Sequence, residues 1–132
     1  MNPVLALIVA SAGTLQNGLL ALMTTIPQVS AVLVAEDISS ALRMIADHRP
    51  KLILLDMDLP EDGAQTILVQ LKSQSFDIGS IALVDSVQQG QKAESLGADA
   101  VLLKGFSAAK LISVTEEILG QQDRDEQIDV KR

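Results

Sequence analysis

The sequence predicts an α/β domain in which helices cover both faces of a doubly wound, five-stranded parallel sheet. Five short apolar runs alternate with amphipathic stretches between residues 4 and 119. The runs are continuously apolar, which is typical of strands buried on both faces. The stretches between them are long enough for the crossovers that parallel strands require. A chain of 132 residues suffices for one such domain.

The first part of the chain predicts a strand, a helix and a second strand. The run Leu5–Val9 is also similar to the apolar part of an export signal. Because no Lys or Arg precedes Arg43, the positive region of such a signal is missing, and we favour a buried strand. The helix ends at Pro27, and the second strand is Ala31–Val34. The apolar face of the helix comprises Leu15, Leu19, Leu22, Met23 and Ile26.

The middle of the chain predicts two helices around the most apolar strand, Leu52–Leu55. Asp37 or Ser39 can cap the first helix, which must stop before Pro50. The pair Asp62-Gly63 opens the second helix. The apolar faces of these helices comprise Ala41, Leu42, Ile45 and Ala46 in the first, and Ile67, Leu68 and Leu71 in the second.

The last part predicts two strands, Ser80–Val84 and Ala100–Leu103, each followed by a helix. The helix Gln88–Leu96 is polar, is interrupted by Gly90 and is ended by Gly97.

Ser107 is predicted to cap the final helix, and Gly120 to end it in the left-handed conformation. Its apolar face comprises Leu111, Ile112, Thr115, Ile118 and Leu119. Residues 1–120 are therefore assigned to the domain. Residues 121–132 carry many charges and few large apolar side chains, so we expect a flexible charged tail, with a helix extension as the alternative.

The composition excludes several classes of site. The absence of cysteine excludes a disulfide scaffold, a thiolate metal site and a cysteine nucleophile. The net charge of −7 argues against direct binding to nucleic acid. No apolar run approaches the roughly 20 residues that a membrane span needs, and we expect a cytoplasmic protein. The remaining chemistry must use carboxylates, hydroxyls and lysine.

Polar residues follow the predicted strands at the edge of the sheet where reactive groups of such folds gather. Ala10 and Ser11 follow the first strand, Asp56 and Asp58 the third, Asp85 the fourth and Lys104 the fifth; all six are expected at one pocket. A carboxylate directly after a buried strand needs a partner, and Lys104 is the obvious one. The cluster is either an ion-pair network that closes the sheet edge, or a phosphoryl or metal site.

The segment LILLDMDLPEDG at positions 52–63, with Lys104-Gly105-Phe106 after the fifth strand, resembles the receiver domain of bacterial two-component response regulators. The resemblance implies a flavodoxin-like fold with strand order 2-1-3-4-5. It also implies that Asp56 accepts a phosphoryl group from a histidine kinase, and that Lys104 pairs with the phosphate. The backbone carbonyl of Asp58 would help to hold Mg²⁺. Such a domain is a signalling module and not an enzyme.

The sequence departs from the receiver pattern at most other functional positions. Ala10 and Ser11 stand where the family has two acids that bind Mg²⁺, and Asp85 replaces a Ser or Thr. Val101 stands at the position of the aromatic switch residue. Gly105 replaces a proline that is usually joined by a cis bond, so we expect a trans bond there.

These departures predict a degenerate phosphorylation pocket. Asp56 and Asp58 alone make a poor cage for Mg²⁺, so that ion would be held weakly or not at all. Asp85 would repel a phosphoryl group and is expected to form a salt bridge with Lys104. We therefore expect a weakly phosphorylated or phosphorylation-independent interaction module. A conventional phospho-accepting response regulator is the alternative.

An enzyme is a more remote alternative. The triplet Asp56-Met57-Asp58 is also similar to the signature of haloacid-dehalogenase-like phosphatases. Pro60 stands where that family has Thr or Val, and two strand–helix units precede the motif.

The expected partners are a histidine kinase or another signalling protein. The resemblance implies docking through the face of the fourth helix, fifth strand and fifth helix. This face is polar, which suits a monomer or a weak dimer. Its polar residues are Gln88, Gln89, Gln91, Lys92, Lys110, Ser113 and Glu117.

Overall fold

Five parallel strands form one sheet in the computed structural model, which describes residues 4–74 and 77–130, with side chains described as far as residue 122. The strands are β1 (Val4–Val9), β2 (Val29–Ala35), β3 (Leu52–Asp56), β4 (Gly79–Val84) and β5 (Ala100–Leu103). The helices are α1 (Thr14–Met23), α2 (Ile38–His48), α3 (Gly63–Ser73), α4 (Val87–Ser95) and α5 (Ala108–Val130). A single 3-10 turn, Pro60–Asp62, precedes α3. Among the residues described, no helix is sufficiently long and apolar to cross a membrane.

The strand order is β2-β1-β3-β4-β5, and every neighbouring pair is parallel. The predicted fold class and strand order are therefore confirmed. Val9 of β1 lies in register with Leu55 of β3, and Val84 of β4 with Leu103 of β5. This register brings the residues that follow β1, β3, β4 and β5 to the same edge of the sheet.

Two apolar layers, one on each face of the sheet, form the core. Alternate residues of a strand point to opposite faces, and β3 shows this directly. Ile53 and Leu55 pack with α2, α3 and α4, whereas Leu52 and Leu54 pack with α1 and α5. All four side chains are fully buried. The strand is continuously apolar because both of its faces are buried, as the sequence predicts.

The capping residues are mostly those that the sequence predicts. Asp37 caps α2 by accepting a 2.8 Å hydrogen bond from the backbone N–H of Ser40, so Asp37 and not Ser39 is the cap. Ser107 accepts a hydrogen bond from the N–H of Lys110 at the start of α5. Ser86 does the same for Gln89 at the start of α4.

The first helix is shorter than predicted. It ends at Met23, and Ile26 lies beyond it although its side chain is buried. The hydroxyls of Thr24 and Thr25 donate to backbone carbonyls of the last helical turn, at 2.8 and 2.7 Å. These local bonds satisfy carbonyls that a continuing helix would use, which explains the early end.

The prediction that Gly120 ends the last helix in a left-handed conformation is wrong. Helix α5 continues through Gly120 to Val130, and Gly120 is not among the glycines with a positive φ angle. The helix-extension alternative therefore describes the backbone as far as residue 130. Gly105 does have a φ angle of 93°, a value that favours glycine, and its peptide bond is trans as expected.

Candidate functional site

Three carboxylates and one ammonium group meet at the carboxyl edge of the sheet. Asp56 is the last residue of β3, Asp58 lies two residues further, Asp85 follows β4, and Lys104 follows β5. We call Asp56, Asp58 and Asp85 the carboxylate cluster. Parallel pairing of neighbouring strands brings these residues together, although they are far apart in sequence.

The ammonium group of Lys104 contacts all three carboxylates. Its Nζ lies 2.8 Å from Oδ1 of Asp56 and 2.8 Å from Oδ2 of Asp58. The distance to Oδ2 of Asp85 is 3.4 Å. The expected Asp85–Lys104 salt bridge is therefore present, but Asp56 and Asp58 are the closer partners of the lysine.

The three carboxylates differ in exposure. The side chain of Asp56 is 15% exposed, whereas those of Asp58 and Asp85 are 45% and 54% exposed. The backbone N–H of Asp58 donates a 2.9 Å hydrogen bond to Oδ1 of Asp56, the same oxygen that Lys104 contacts. Asp56 is thus the inner carboxylate of the cluster, and one of its oxygens already accepts two hydrogen bonds.

Gln89, on the first turn of α4, is also a member of the site. From the sequence it is expected only on the polar docking face. Its Oε1 accepts a 2.7 Å hydrogen bond from the backbone N–H of Asp85. Its Nε2 donates a 3.0 Å hydrogen bond to Oδ1 of Asp58. The pattern Ser86-Val87-Gln88-Gln89 matches the capping-box spacing, and this signal could have drawn attention to the glutamine.

The hydrogen bonds shift the proton affinities of the cluster. The bond from Lys104 and, next, the bond from Gln89 hold the pKa of Asp58 below its ordinary value. Burial of the Lys104 ammonium acts to lower its pKa, but the hydrogen bonds to Asp56 and Asp58 outweigh burial, and the pKa of Lys104 is raised. The lysine is therefore charged throughout the physiological range.

The side chains at the end of β1 do not complete a site for a divalent metal ion. Ala10 is buried and offers only a methyl group, and Ser11 is exposed and offers one hydroxyl. The carboxylates of Asp56 and Asp58 already accept hydrogen bonds from Lys104. Within residues 4–74 and 77–122, no group of three or more acidic, histidine or cysteine side chains could hold a metal ion. A hard cation such as Mg²⁺ prefers several free oxygen ligands, and these side chains offer few of them.

A groove of about 600 Å³ lies beside the cluster, between α4, β5 and the start of α5. Val101 lies in its wall, half-buried, and Phe106 and Lys110 lie along its other side. Val87 and Leu103 border the groove with side chains that are 64% and 51% exposed. We call this surface the α4–β5 groove.

Comparison with known proteins identifies sequence relatives of this chain. A family profile described as the response regulator receiver domain matches residues 7–116. The curated response regulator MprA of Mycobacterium sp. (strain KMS) is 31% identical over 98 residues, which are 73% of this chain and 43% of that protein. The same match is found for strain JLS. The chain thus spans less than half the length of these curated relatives.

Solved structures share the fold. NtrX from Brucella abortus superposes with a TM-score of 0.86 and 21% identity, over 99% of this chain and 30% of that one. The receiver domain of the Francisella response regulator 1452 superposes with a TM-score of 0.73 and 22% identity, over 92% of this chain and 99% of that one. At such identities the superpositions establish the architecture alone.

Proposed function

Because the chain belongs to the response regulator receiver domain family, we propose that it is a receiver that docks with its partners without phosphorylation of Asp56. The motif resemblance supports the proposal, because by that resemblance Asp56 matches the phosphoacceptor, Lys104 the phosphate-pairing lysine and Val101 the switch residue. The alternative within the family is a conventional phospho-accepting response regulator.

The observation that carries the proposal is the occupation of Lys104. Its ammonium group is already held by Asp56 and Asp58 at 2.8 Å, and by Asp85 at 3.4 Å. A phosphoryl group on Asp56 would have to compete with these carboxylates for the lysine. In the protein without a ligand, the lysine that would pair with a phosphoryl group is therefore already paired with three carboxylates.

The charge balance also opposes phosphorylation. The three carboxylates of the cluster and the ammonium group of Lys104 together carry a net charge of −2. Two like unit charges about 4 Å apart repel by about 4 kcal/mol at an effective dielectric constant of about 20. Phosphoryl transfer needs positive charge around the transferring oxygens, and divalent metal ions commonly supply it. Ala10 and Ser11 offer no carboxylate to hold such an ion.

The α4–β5 groove is the proposed docking surface. Val87 and Leu103 are two of the four large apolar side chains that stand exposed among the residues described. Both border the groove, whose wall Val101 lines in place of an aromatic side chain. We propose a protein partner, either a histidine kinase or another signalling protein, that inserts an apolar side chain there. Since the chain carries a net charge of −7, we expect it to remain a monomer or a weak dimer.

The test is incubation with acetyl phosphate and Mg²⁺, followed by intact-mass measurement. We expect less than about a tenth of the wild-type protein to gain a phosphoryl group, because repulsion of a few kcal/mol lowers occupancy by at least that factor. Asp56→Asn gives the background. The triple variant Ala10→Asp, Ser11→Asp, Asp85→Thr restores the family's residues and is expected to be phosphorylated more extensively. Stoichiometric phosphorylation of wild-type Asp56 would instead favour the conventional alternative.

A further inference from the structure

We propose that Gln89 is a positioning residue that ties α4 to the carboxylate cluster and so holds the α4–β5 groove in one arrangement without a phosphoryl group. The inference rests on the proposed function in one respect, namely that the groove is the docking surface. The contacts of Gln89 would be the physical cause that holds the α4–β5 groove in this arrangement. Nothing in the receiver motif includes this glutamine.

The contacts of Gln89 reach two different strands. Its Oε1 accepts from the backbone N–H of Asp85, which follows β4, at 2.7 Å. Its Nε2 donates to Oδ1 of Asp58, which follows β3, at 3.0 Å. The other oxygen of Asp58 accepts from Lys104, which follows β5. One amide therefore connects the start of α4 to a network that spans three strands.

Only one of these two contacts belongs to ordinary helix capping. In a capping box the side chain three residues after the cap reaches back to a free backbone N–H before the helix. The bond from Asp85 to Gln89 is of this kind, displaced by one residue from the cap Ser86. The bond to Asp58 joins α4 to another element, over 31 positions of sequence, and no capping rule requires it.

The contacts of Gln89 affect the α4–β5 groove through the neighbouring residue, Gly90. Gly90 is buried, and a Cβ atom placed on it would lie 3.0 Å from Cγ1 of Val101 in β5. Helix α4 thus packs directly against the switch position at this point. Val87 and Gln91, on the adjoining turns of α4, also line the groove. A shift of the first turn of α4 must therefore change the width of the groove beside Val101.

An amide suits this place better than a carboxylate. The N–H of Asp85 donates to this side chain, and Oδ1 of Asp58 accepts from it. Glutamine supplies both from one side chain, whereas ionised glutamate supplies only the acceptor. A glutamate would also bring a fourth negative charge beside three carboxylates that Lys104 neutralises in part.

The substitution Gln89→Glu separates the two roles. It keeps the acceptor for the Asp85 N–H and so keeps the cap, but it removes the donor to Asp58. Gln88→Glu, at the exposed neighbouring position, adds the same charge on the same turn and is the matched control. Gln89→Ala removes both contacts. The measurements are amide hydrogen exchange, ¹H–¹⁵N spectra and urea unfolding of each protein, without any phosphoryl donor.

We expect Gln89→Glu to speed hydrogen exchange of the α4 amides by about tenfold relative to Gln88→Glu, at similar global stability. The signals of Gly90, Val101 and Leu103 should move in Gln89→Glu and stay in place in Gln88→Glu. Gln89→Ala should show the same changes. If Gln89→Glu behaves as Gln88→Glu does and only Gln89→Ala is altered, Gln89 is merely a cap and the inference is overturned.

The result is independent of the phosphorylation test. Phosphorylation of wild-type Asp56 would overturn the proposed function while leaving the exchange data for α4 unaffected. Conversely, unchanged hydrogen exchange of α4 in Gln89→Glu would overturn the role of Gln89 but would not affect the proposal that Asp56 is not phosphorylated.

Discussion

At the scale of single residues, Lys104 determines the state of the site. It is the cation in contact with all three members of the carboxylate cluster, and its pKa is raised by its hydrogen bonds to Asp56 and Asp58 against the opposing effect of burial. Charge-assisted hydrogen bonds of this kind are shorter and stronger than neutral ones. In the proposed function, these contacts of Lys104 stabilise the protein in the absence of a phosphoryl group.

Lys104→Met is expected to lower the free energy of unfolding by about 1–3 kcal/mol, because it leaves three neighbouring carboxylates without their cation. The measurement is urea unfolding at neutral pH. Lys92→Met, which removes an exposed lysine of α4, is the control and should change stability by less than about 0.5 kcal/mol. Equal effects of the two substitutions would show that the ion pairs contribute nothing.

The same variant changes the pH dependence. The pKa of Asp58 is lowered in the folded protein, so its stabilising contribution is present above its unfolded pKa and is lost as pH falls. The pKa of Lys104 is raised, so its contribution is present below its unfolded pKa and is lost only at alkaline pH. As the pH falls below about 5, through and below the ordinary pKa of a carboxyl group, wild type should therefore lose stability more steeply than Lys104→Met, in which protonation relieves repulsion. Parallel pH curves for the two proteins would contradict this assignment.

At the scale of helices and strands, local sequence signals predict most of the structure. The continuous apolar runs predict the strands because burial on both faces favours apolar residues, as at positions 52–55 of β3, where all four side chains are buried. Asp37 and Ser107 cap helices because their side chains satisfy free N–H groups of the first turn. The end of α1 at Met23 is not predicted, because it depends on the hydroxyl bonds of Thr24 and Thr25 and not on Pro27. The passage of α5 through Gly120 agrees only with the alternative of a helix extension.

Two glycines give a matched test of packing between elements. A Cβ atom on Gly79 of β4 would lie 2.5 Å from Cγ2 of Ile118, a buried side chain of α5. A Cβ atom on Gly18 of α1 would meet nothing within 4 Å. Gly79→Ala should therefore lower stability by about 1–3 kcal/mol through overpacking. Gly18→Ala should raise it by about 0.5–1 kcal/mol through helix propensity. Thermal or urea unfolding checks both, and a stable Gly79→Ala protein would show that α5 does not pack so closely on β4.

At the scale of the whole molecule, the topology brings the site together. The sequence predicts Asp56, Asp58, Asp85 and Lys104 at one edge because parallel strands end on the same side. It could not rank the carboxylates by their distance from the lysine, since differences of less than 1 Å depend on side-chain packing. Nor could it place Gln89, whose contact with Asp58 arises from the position of α4 in three dimensions.

Two parts of the molecule carry the proposed function, the α4–β5 groove and the carboxylate cluster. The α4–β5 groove carries exposed apolar side chains at Val87 and Leu103. The carboxylate cluster, in contrast, is closed on Lys104 and Gln89. In the proposed account, partner binding depends on the groove alone and not on the chemical state of Asp56.

The most direct test of this account is a ¹H–¹⁵N spectrum recorded with and without beryllofluoride and Mg²⁺, which together mimic a phosphoryl group on the phosphoacceptor. The account predicts that the signals of α4 and β5, including Val101 and Leu103, stay in place at saturating reagent. The triple variant Ala10→Asp, Ser11→Asp, Asp85→Thr should respond under the same conditions. Shifts across α4 and β5 of the wild-type protein that saturate at one equivalent would contradict the account.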